Sequence, residues 1–391
     1  PDLGGTGGYV RHVIELINPG FRAERAVSPG DGGVWWVVLD AELGVHREAS
    51  AFLASLQGAD RSPHTIRAYA GRAALFLGWC QASGVDWRRI ELAELARFKH
   101  WVEVVPTRAG RVRSGTTVNA ILTAVCELLR FCARAGVIEP VVAERLSQPR
   151  WLRFTPSGFD TGESGQFRTV RARAIKARAA TPFPEALTGE QLEAVLGCCR
   201  RPREHFLVIT LRDTGLRIGE ALGLRRCDMH LLPDSRGLGC AVVGAHLHVR
   251  HRANPNGALA KSRFPRTVPA SDALLAAYTD YQHERAGLLG DEDGTDMVLV
   301  NLYHAPLGAA MTYRAAKGFF DRLARGCGFP VRPHMLRHSA ATNWVRAGVD
   351  IDVVQALLGH ASLASTSVYM HARDEDKRRA VEAVAAGRNY R

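Results

Sequence analysis

A phenol, two guanidiniums, two imidazoles and an ammonium recur through the second half of this chain at spacings that suit attack on a phosphodiester. Tyr369 stands nine positions after His360 in LLGHASLASTSVYMH, downstream of the string His334-Met-Leu-Arg337 and of Arg217 in TGLRIGEALGL. Lys261 lies between them, ahead of RTVP. Attack on such an ester without a metal requires fixed cations that offset the negative charge growing on the phosphoryl oxygens. Arginine suits the task because its planar fork binds two non-bridging oxygens at once and keeps its charge. Arg217 and Arg337, from separated segments, would grip the phosphate from two sides.

The nucleophile would be Tyr369. A phenol with a pKa near ~10 costs roughly 4 kcal/mol to ionise at neutral pH unless a base or nearby cations help. His334 is the first choice for that base and His360 for a hydrogen-bond donor that orients the phosphate, although the two roles can be exchanged. Lys261 can protonate the departing deoxyribose 5′-oxygen from a turn, with Arg252 and Arg263 as rivals. Glu220, three residues after Arg217, shares its helical face and can orient the guanidinium, and an ordinary surface ion pair is the competing reading. A lone tyrosine usually packs helices, and the H-x-x-R spacing recurs by chance at His64-Thr-Ile-Arg67. That copy has no tyrosine, Gly-His or second arginine in register, so it reads as a solvated or DNA-facing helix surface. Tyr390, in GRNYR, has no such company either.

These residues need elements to hold them. Arg217 follows Thr214-Gly215-Leu216, a turn that leads into a helix over Ile218 to Leu224, where backbone amides would also favour an anion. PHMLRHSAATNWVRAGVDIDVVQALLGHAS reads as a helix, a loop at Gly348, a second helix and a Gly359 stop that presents His360. Upstream, Thr188-Gly-Glu-Gln191 is a capping box, and a helix is expected over Glu204 to Asp213. Strands are expected at Cys240 to Arg250, Arg266 to Pro269 and Met297 to Leu302, the first two framing an Asn254-Pro-Asn-Gly257 turn. Helices resume at Tyr313 to Arg325.

A separate helical domain of roughly 100 residues precedes this part. Ser62 caps a helix that begins at Pro63, and further helices are expected over Leu92 to Val102 and Thr116 to Ala135, the last stopped by Gly136. The expected organisation is a Gly-rich leader of unreadable role over 1–47, with a β-prone run from Val34 to Leu39, and a helical DNA-binding domain over 48–147. A basic linker over 148–184 and a catalytic domain with a C-terminal tail over 185–391 complete the chain. The fold class is mainly α, with a small antiparallel β-sheet in the catalytic domain.

Composition narrows the partner. The 391 residues carry a formal charge of +12, so a polyanion is expected, and nucleic acid suits better than a membrane because no amphipathic Lys/Arg helix stands out and no apolar run approaches the length of a span. The linker holds Arg150, Arg153, Arg168, Arg171, Arg173, Lys176 and Arg178; beyond solvating a connection, these would lie along phosphates, as would Arg67. The eight cysteines form no CxxC pair and no Cys/His cluster with zinc spacing, which suggests reduced, buried thiols in a cytoplasmic protein and no metal or other cofactor. PDLGGTGGYV lacks the pattern of a signal peptide, and a start on Pro1 fits either a beginning inside a longer reading frame or a trimmed chain.

The set Arg217, Lys261, His334, Arg337, His360 and Tyr369 resembles the active site of the tyrosine recombinase (phage integrase) family, over about residues 187–375. TGLRIGEALGL resembles its first arginine box, and HMLRHSAATNWVRAG with LLGHAS and the following tyrosine its second; residues 48–140 resemble its SAM-like core-binding domain more loosely. The resemblance implies a metal-free transesterification in which the tyrosine takes the 3′-phosphate, frees a 5′-hydroxyl and lets the strand rejoin a new partner through a four-way junction. It also implies double-stranded DNA held between two domains, homo-tetramers on paired sites, and accessory DNA-bending or directionality factors. The tail from Asp374 to Ala386 would pack on a neighbouring subunit or on its own domain. The leader and long linker favour a mobile-element integrase or transposase over a chromosome resolvase. Two rivals are a type IB topoisomerase, which reseals the same strand, and a DNA-binding protein that never cuts.

Overall fold

The computed structural model describes residues 20–30, 32–107, 109–153, 155, 166–179, 185–262, 264–360, 366 and 382. The chain divides into two compact units, one ending near residue 181 and the other comprising most of the rest.

The first unit is built on α1 (Arg47–Gly58), α2 (Pro63–Ala82), α3 (Leu92–Val104), α4 (Gly115–Arg134) and α5 (Pro140–Arg145). The Ser62 hydroxyl accepts from the Thr65 amide and starts α2 at Pro63, while Gly136 takes φ 70° just beyond α4, as the stop-and-start residues predict. α4 is long and apolar enough to cross a bilayer, but here its apolar residues, from Val118 to Cys132, are buried in the helical core.

Two features of this unit depart from the sequence reading. The leader contains a hairpin, β1 (Arg22–Val27) against β2 (Val34–Leu39), and Val38, Trp36, Phe21 and Ala23 join the helical core. A domain start at residue 48 therefore cuts through packed structure. The linker likewise contains an antiparallel ribbon, β3 (Ser147–Trp151) with β4 (Thr169–Arg173), and the segment after it buries Ala177 against the helices. Few apolar residues mark either ribbon strand, so their pairing rests on backbone hydrogen bonds that leave no periodic trace.

The second unit contains α6 (Gly189–Gly197), α7 (Pro202–Thr214), α8 (Ile218–Leu222), α9 (Asp272–Leu289), α10 (Tyr313–Cys327), α11 (Pro333–Arg346) and α12 (Ile351–Leu358). The capping box at Thr188 and Gln191 is present on α6. α7 packs against both α9 and α11. Beside the helices lies an antiparallel sheet in the order β5 (Met229–His230), β6 (His246–Val249), β7 (Arg266–Pro269).

The third strand is thus Met229–His230 and not the expected Met297 to Leu302. That apolar run is mostly buried but irregular, with isolated bridges at Met297 and Val300 and backbone hydrogen bonds from Val298 to Leu224 and from Met311 to Leu299. Side chains replace a neighbouring strand: Arg285 donates to the Met297 and Val298 carbonyls at 2.7 and 2.9 Å, and Tyr281 to Val298 at 2.9 Å. The first strand is also shorter than expected, and residues 250–262 and 264–265 belong to a long loop in place of a tight hairpin, although the Asn254–Gly257 turn closes within it at 2.9 Å. α9 went unread because Arg285, itself buried, interrupts its apolar stripe of Leu274, Ala277, Tyr281 and Leu289.

Candidate active site

α7 ends at Gly215, whose φ of 61° turns the chain sharply enough for Arg217 to cap α8 two residues later. The Arg217 amide donates to Glu220 Oε2 at 2.9 Å, so the helix start expected to attract a phosphate is already served by a carboxylate. α8 has only five residues.

Glu220 is the hub of the pocket. Its side chain is fully buried and meets three guanidiniums: Arg217 at 3.0 Å, Arg266 at 2.7 Å and Arg337 at 3.9 Å. Arg266 binds both carboxylate oxygens and donates Nε to the Leu357 carbonyl at 2.9 Å. Burial alone would raise the Glu220 pKa, yet the hydrogen bond and charge of Arg266, the Arg217 amide and the Arg217 charge outweigh it and hold the carboxyl below its ordinary value. Three cations around one anion leave a net positive pocket, which a phosphate diester would neutralise in part.

α11 and α12 complete the pocket. Arg337, on α11, is buried and donates to the Gly215 carbonyl at 2.6 Å, the Leu358 carbonyl at 2.8 Å and His360 Nε2 at 2.9 Å. Because a guanidinium only donates, His360 Nε2 must accept, which places its proton on Nδ1, facing Thr366 Oγ1 at 2.9 Å. Burial, then Arg337, Arg217 and Arg266, push the His360 pKa down to about 4, so the ring is neutral at pH 7. Gly359 ends α12 with φ 62°, and a Cβ there would lie 2.7 Å from Arg266 Nη1. His334, exposed at the start of α11, has its pKa lowered by desolvation and by Arg337, Arg217 and Lys261, which puts all three cations within electrostatic reach of it.

Residues 185–376 match the pattern of the phage integrase family, and residues 49–136 match its N-terminal SAM-like domain. The chain is 30% identical to tyrosine recombinase XerC of Mycobacterium leprae over 313 residues, covering 80% of this chain and 89% of the relative. The chain belongs to the phage integrase family. These tyrosine recombinases break and rejoin DNA strands. A further relative is transposase A from transposon Tn554 of Staphylococcus aureus, 27% identical and covering 87% of this chain and 91% of that one. Among solved structures, the Tn1549 transposon integrase in complex with a circular intermediate DNA shares the fold, with a TM-score of 0.58 at 17% identity over 86% of this chain and 99% of that one.

Within this recombinase the structure brings Arg217, Arg337 and His360 into one hydrogen-bonded group around Glu220, with Lys261 and His334 nearby. Tyr369 lies outside the described residues, as does Arg263. Arg252, the other rival to Lys261, is committed to the buried carboxylate of Asp228. Lys261 itself is exposed. The sequence reading missed Arg266 and Thr366. Only the knowledge that Glu220 is buried, and so needs more than one cation, would have pointed to Arg266.

The residues expected along DNA divide. Arg67, Arg150, Arg153, Arg171 and Lys176 are exposed, and Arg168 is partly so. Arg171 joins Arg130 and Arg134 along an open cleft of about 650 Å³ in the first unit. Arg173 instead donates to the Asn119 carbonyl at 2.8 Å and so ties the ribbon to α4. The sequence holds no Cys/His cluster with zinc spacing, yet the fold gathers His230, Cys240, His246 and His248, whose ligand atoms lie within 4.8 Å of one another. Their sequence intervals fit no zinc motif because strand register, and not spacing, brings them together.

Proposed function

We propose that this chain is the recombinase of a mobile element, which cuts and rejoins double-stranded DNA through a 3′-phosphotyrosyl bond to Tyr369. The observation that carries the assignment is the buried Glu220 carboxylate gathering Arg217, Arg266 and Arg337 beside His360 in a member of this family. Arg217 makes its side-chain bonds to Glu220 and Leu358 from Nη1, so its other edge can reach a non-bridging oxygen. Arg337 holds the opposite side. His334 takes the phenol proton as the attack begins, Lys261 protonates the 5′-oxygen as that bond breaks, and His360 donates to the phosphate once the incoming anion draws Arg337 away and the imidazole proton moves from Nδ1 to Nε2.

The similarity to transposase A along most of both chains supports the mobile-element reading. Both domains would contact the duplex, with Arg150 and Arg171 of the ribbon on its phosphates. Homo-tetramers would assemble on paired sites in the cytoplasm, with accessory bending or directionality factors. The test is a nicked suicide substrate carrying the recombination site. Wild type should form a covalent adduct mapping to the peptide with Tyr369, and Tyr369→Phe should form none. An adduct that persists in Tyr369→Phe removes that residue from the reaction. Relaxation of supercoils without exchange between paired sites would instead favour a topoisomerase.

A further inference from the structure

We propose that His230, Cys240, His246 and His248 form a structural zinc site. His246 and His248 lie two apart on β6 and so point to one face of the sheet, and His230 on β5 is the register partner of His246. The three imidazoles therefore gather on one side of the sheet, tilted or edge-to-face, with centroids 4.5 to 5.0 Å apart. The connection from β5 to β6 turns back at Gly239 and Gly244, both at positive φ, and lays Cys240 over the same face.

Three of the distances are those of one face of a tetrahedron, and all four ligand atoms lie within 4.8 Å of one another. A zinc ion bound by one thiolate and imidazole nitrogens at ordinary lengths separates sulfur from nitrogen by about 3.6 Å and nitrogen from nitrogen by about 3.3 Å. Cys240 Sγ lies 3.4 Å from His246 Nε2 and 3.5 Å from His248 Nε2, and those two nitrogens are 3.2 Å apart.

Two further observations point to a ligand. His246 Nδ1 lies 2.7 Å from the Gly244 carbonyl, which fixes its proton there and turns the Nε2 lone pair into the cluster, an arrangement common among metal-bound histidines. His230 is buried, and its Nδ1 has no hydrogen-bond partner among the described residues. Such a group costs free energy unless something satisfies its ring.

The fold also has a use for a staple. The connection holding Cys240 exposes Leu232, Leu238, Val242 and Val243, so apolar burial contributes little to its order. One sulfur and three nitrogens in a closed tetrahedron suit zinc held for structure, with no position left for substrate. On binding, the Cys240 thiol gives its proton to solvent and the thiolate becomes the fourth ligand. The same sheet carries Arg266 on β7, so the ion would steady the strand pair that delivers this guanidinium to Glu220.

The experiment is elemental analysis of the untagged full chain, followed by cobalt substitution. Wild type should carry about one zinc per chain. Cobalt should give the visible bands of a tetrahedral site together with a thiolate charge-transfer band. Cys240→Ser should lose that band and most of the metal, while Cys227→Ser, which alters an exposed cysteine outside the cluster, should keep both. A wild-type chain that is folded by circular dichroism, yet retains less than about a tenth of an equivalent after dialysis against zinc and gives no cobalt spectrum, overturns the proposal. Iron or copper in place of zinc overturns the choice of metal.

Discussion

The two units are held together by different physics. In the helical unit, Phe98 packs against Phe76 and against Trp79 with ring centroids 5.2 Å apart in each pair, and among the described residues no charged side chain is fully enclosed. In the catalytic unit, Glu204, Glu220, Asp228, Arg285 and Arg337 are all buried. A purely apolar core is insensitive to pH and indifferent to which ligand binds outside it. Buried charge is costly unless paired, and a protein keeps it where a pocket must present charge in a fixed place. The contrast separates a scaffold from an instrument.

The largest effect should come from removing the hub. Glu220→Ala leaves Arg217, Arg266 and Arg337 without their shared anion and should cost about 3–5 kcal/mol in urea unfolding, with loss of DNA cleavage. Phe98→Ala should cost a similar ~3–5 kcal/mol through a cavity in the helical core, but by an uncharged route. The two variants part in their pH dependence: the Phe98 loss should be constant with pH, whereas the Glu220 loss should shrink in acid, where wild type loses the same contribution. Equal pH profiles for both would erase the contrast.

Legibility in the sequence differed from residue to residue. Ser62, Gly136, Thr188 and Gly359 announced helix ends because caps are local chemistry, readable within four residues. Arg217, His334, Arg337 and His360 were legible by type and order. Arg266 was not, since nothing near it in sequence says that Glu220 is enclosed. The histidine cluster stayed hidden because it depends on the pairing of His230 with His246, a long-range register. The ribbon of β3 and β4 was obscured by polar, exposed residues, and α9 by the arginine within its buried face.

Smaller perturbations sharpen the comparison. Gly359→Ala imposes a left-handed backbone on a side chain whose Cβ would crowd Arg266, and should cost about 1–3 kcal/mol. Cleavage should fall by more than this loss of stability explains, because the guanidinium must move. A thermal unfolding curve beside a single-turnover rate measures both. Gly136→Ala, at a similar φ in the helical unit with open space around it, should cost stability without that catalytic excess.

The mildest test is acid. A histidine whose folded pKa is depressed to about 4 binds fewer protons than the unfolded chain as pH falls below the ordinary value of 6.5. Its contribution is complete above that value and is lost progressively towards about pH 4, and from the ordinary carboxyl value of 4.5 downwards Glu220 adds a loss of its own. Denaturant midpoints tracked across this range should fall for wild type and fall less for His360→Asn. An unchanged slope in the variant would mean that another group titrates.

Glu220 and its arginines should act as one unit. A double-mutant cycle on the single-turnover rate of covalent adduct formation, with Glu220→Gln, Arg217→Gln and the pair, tests this most directly. Each single change should slow the step by about 10²–10³-fold, and the double variant should be scarcely slower than either alone. Effects that simply multiply in the double variant, or a Glu220→Gln chain that cleaves at the wild-type rate, would contradict it.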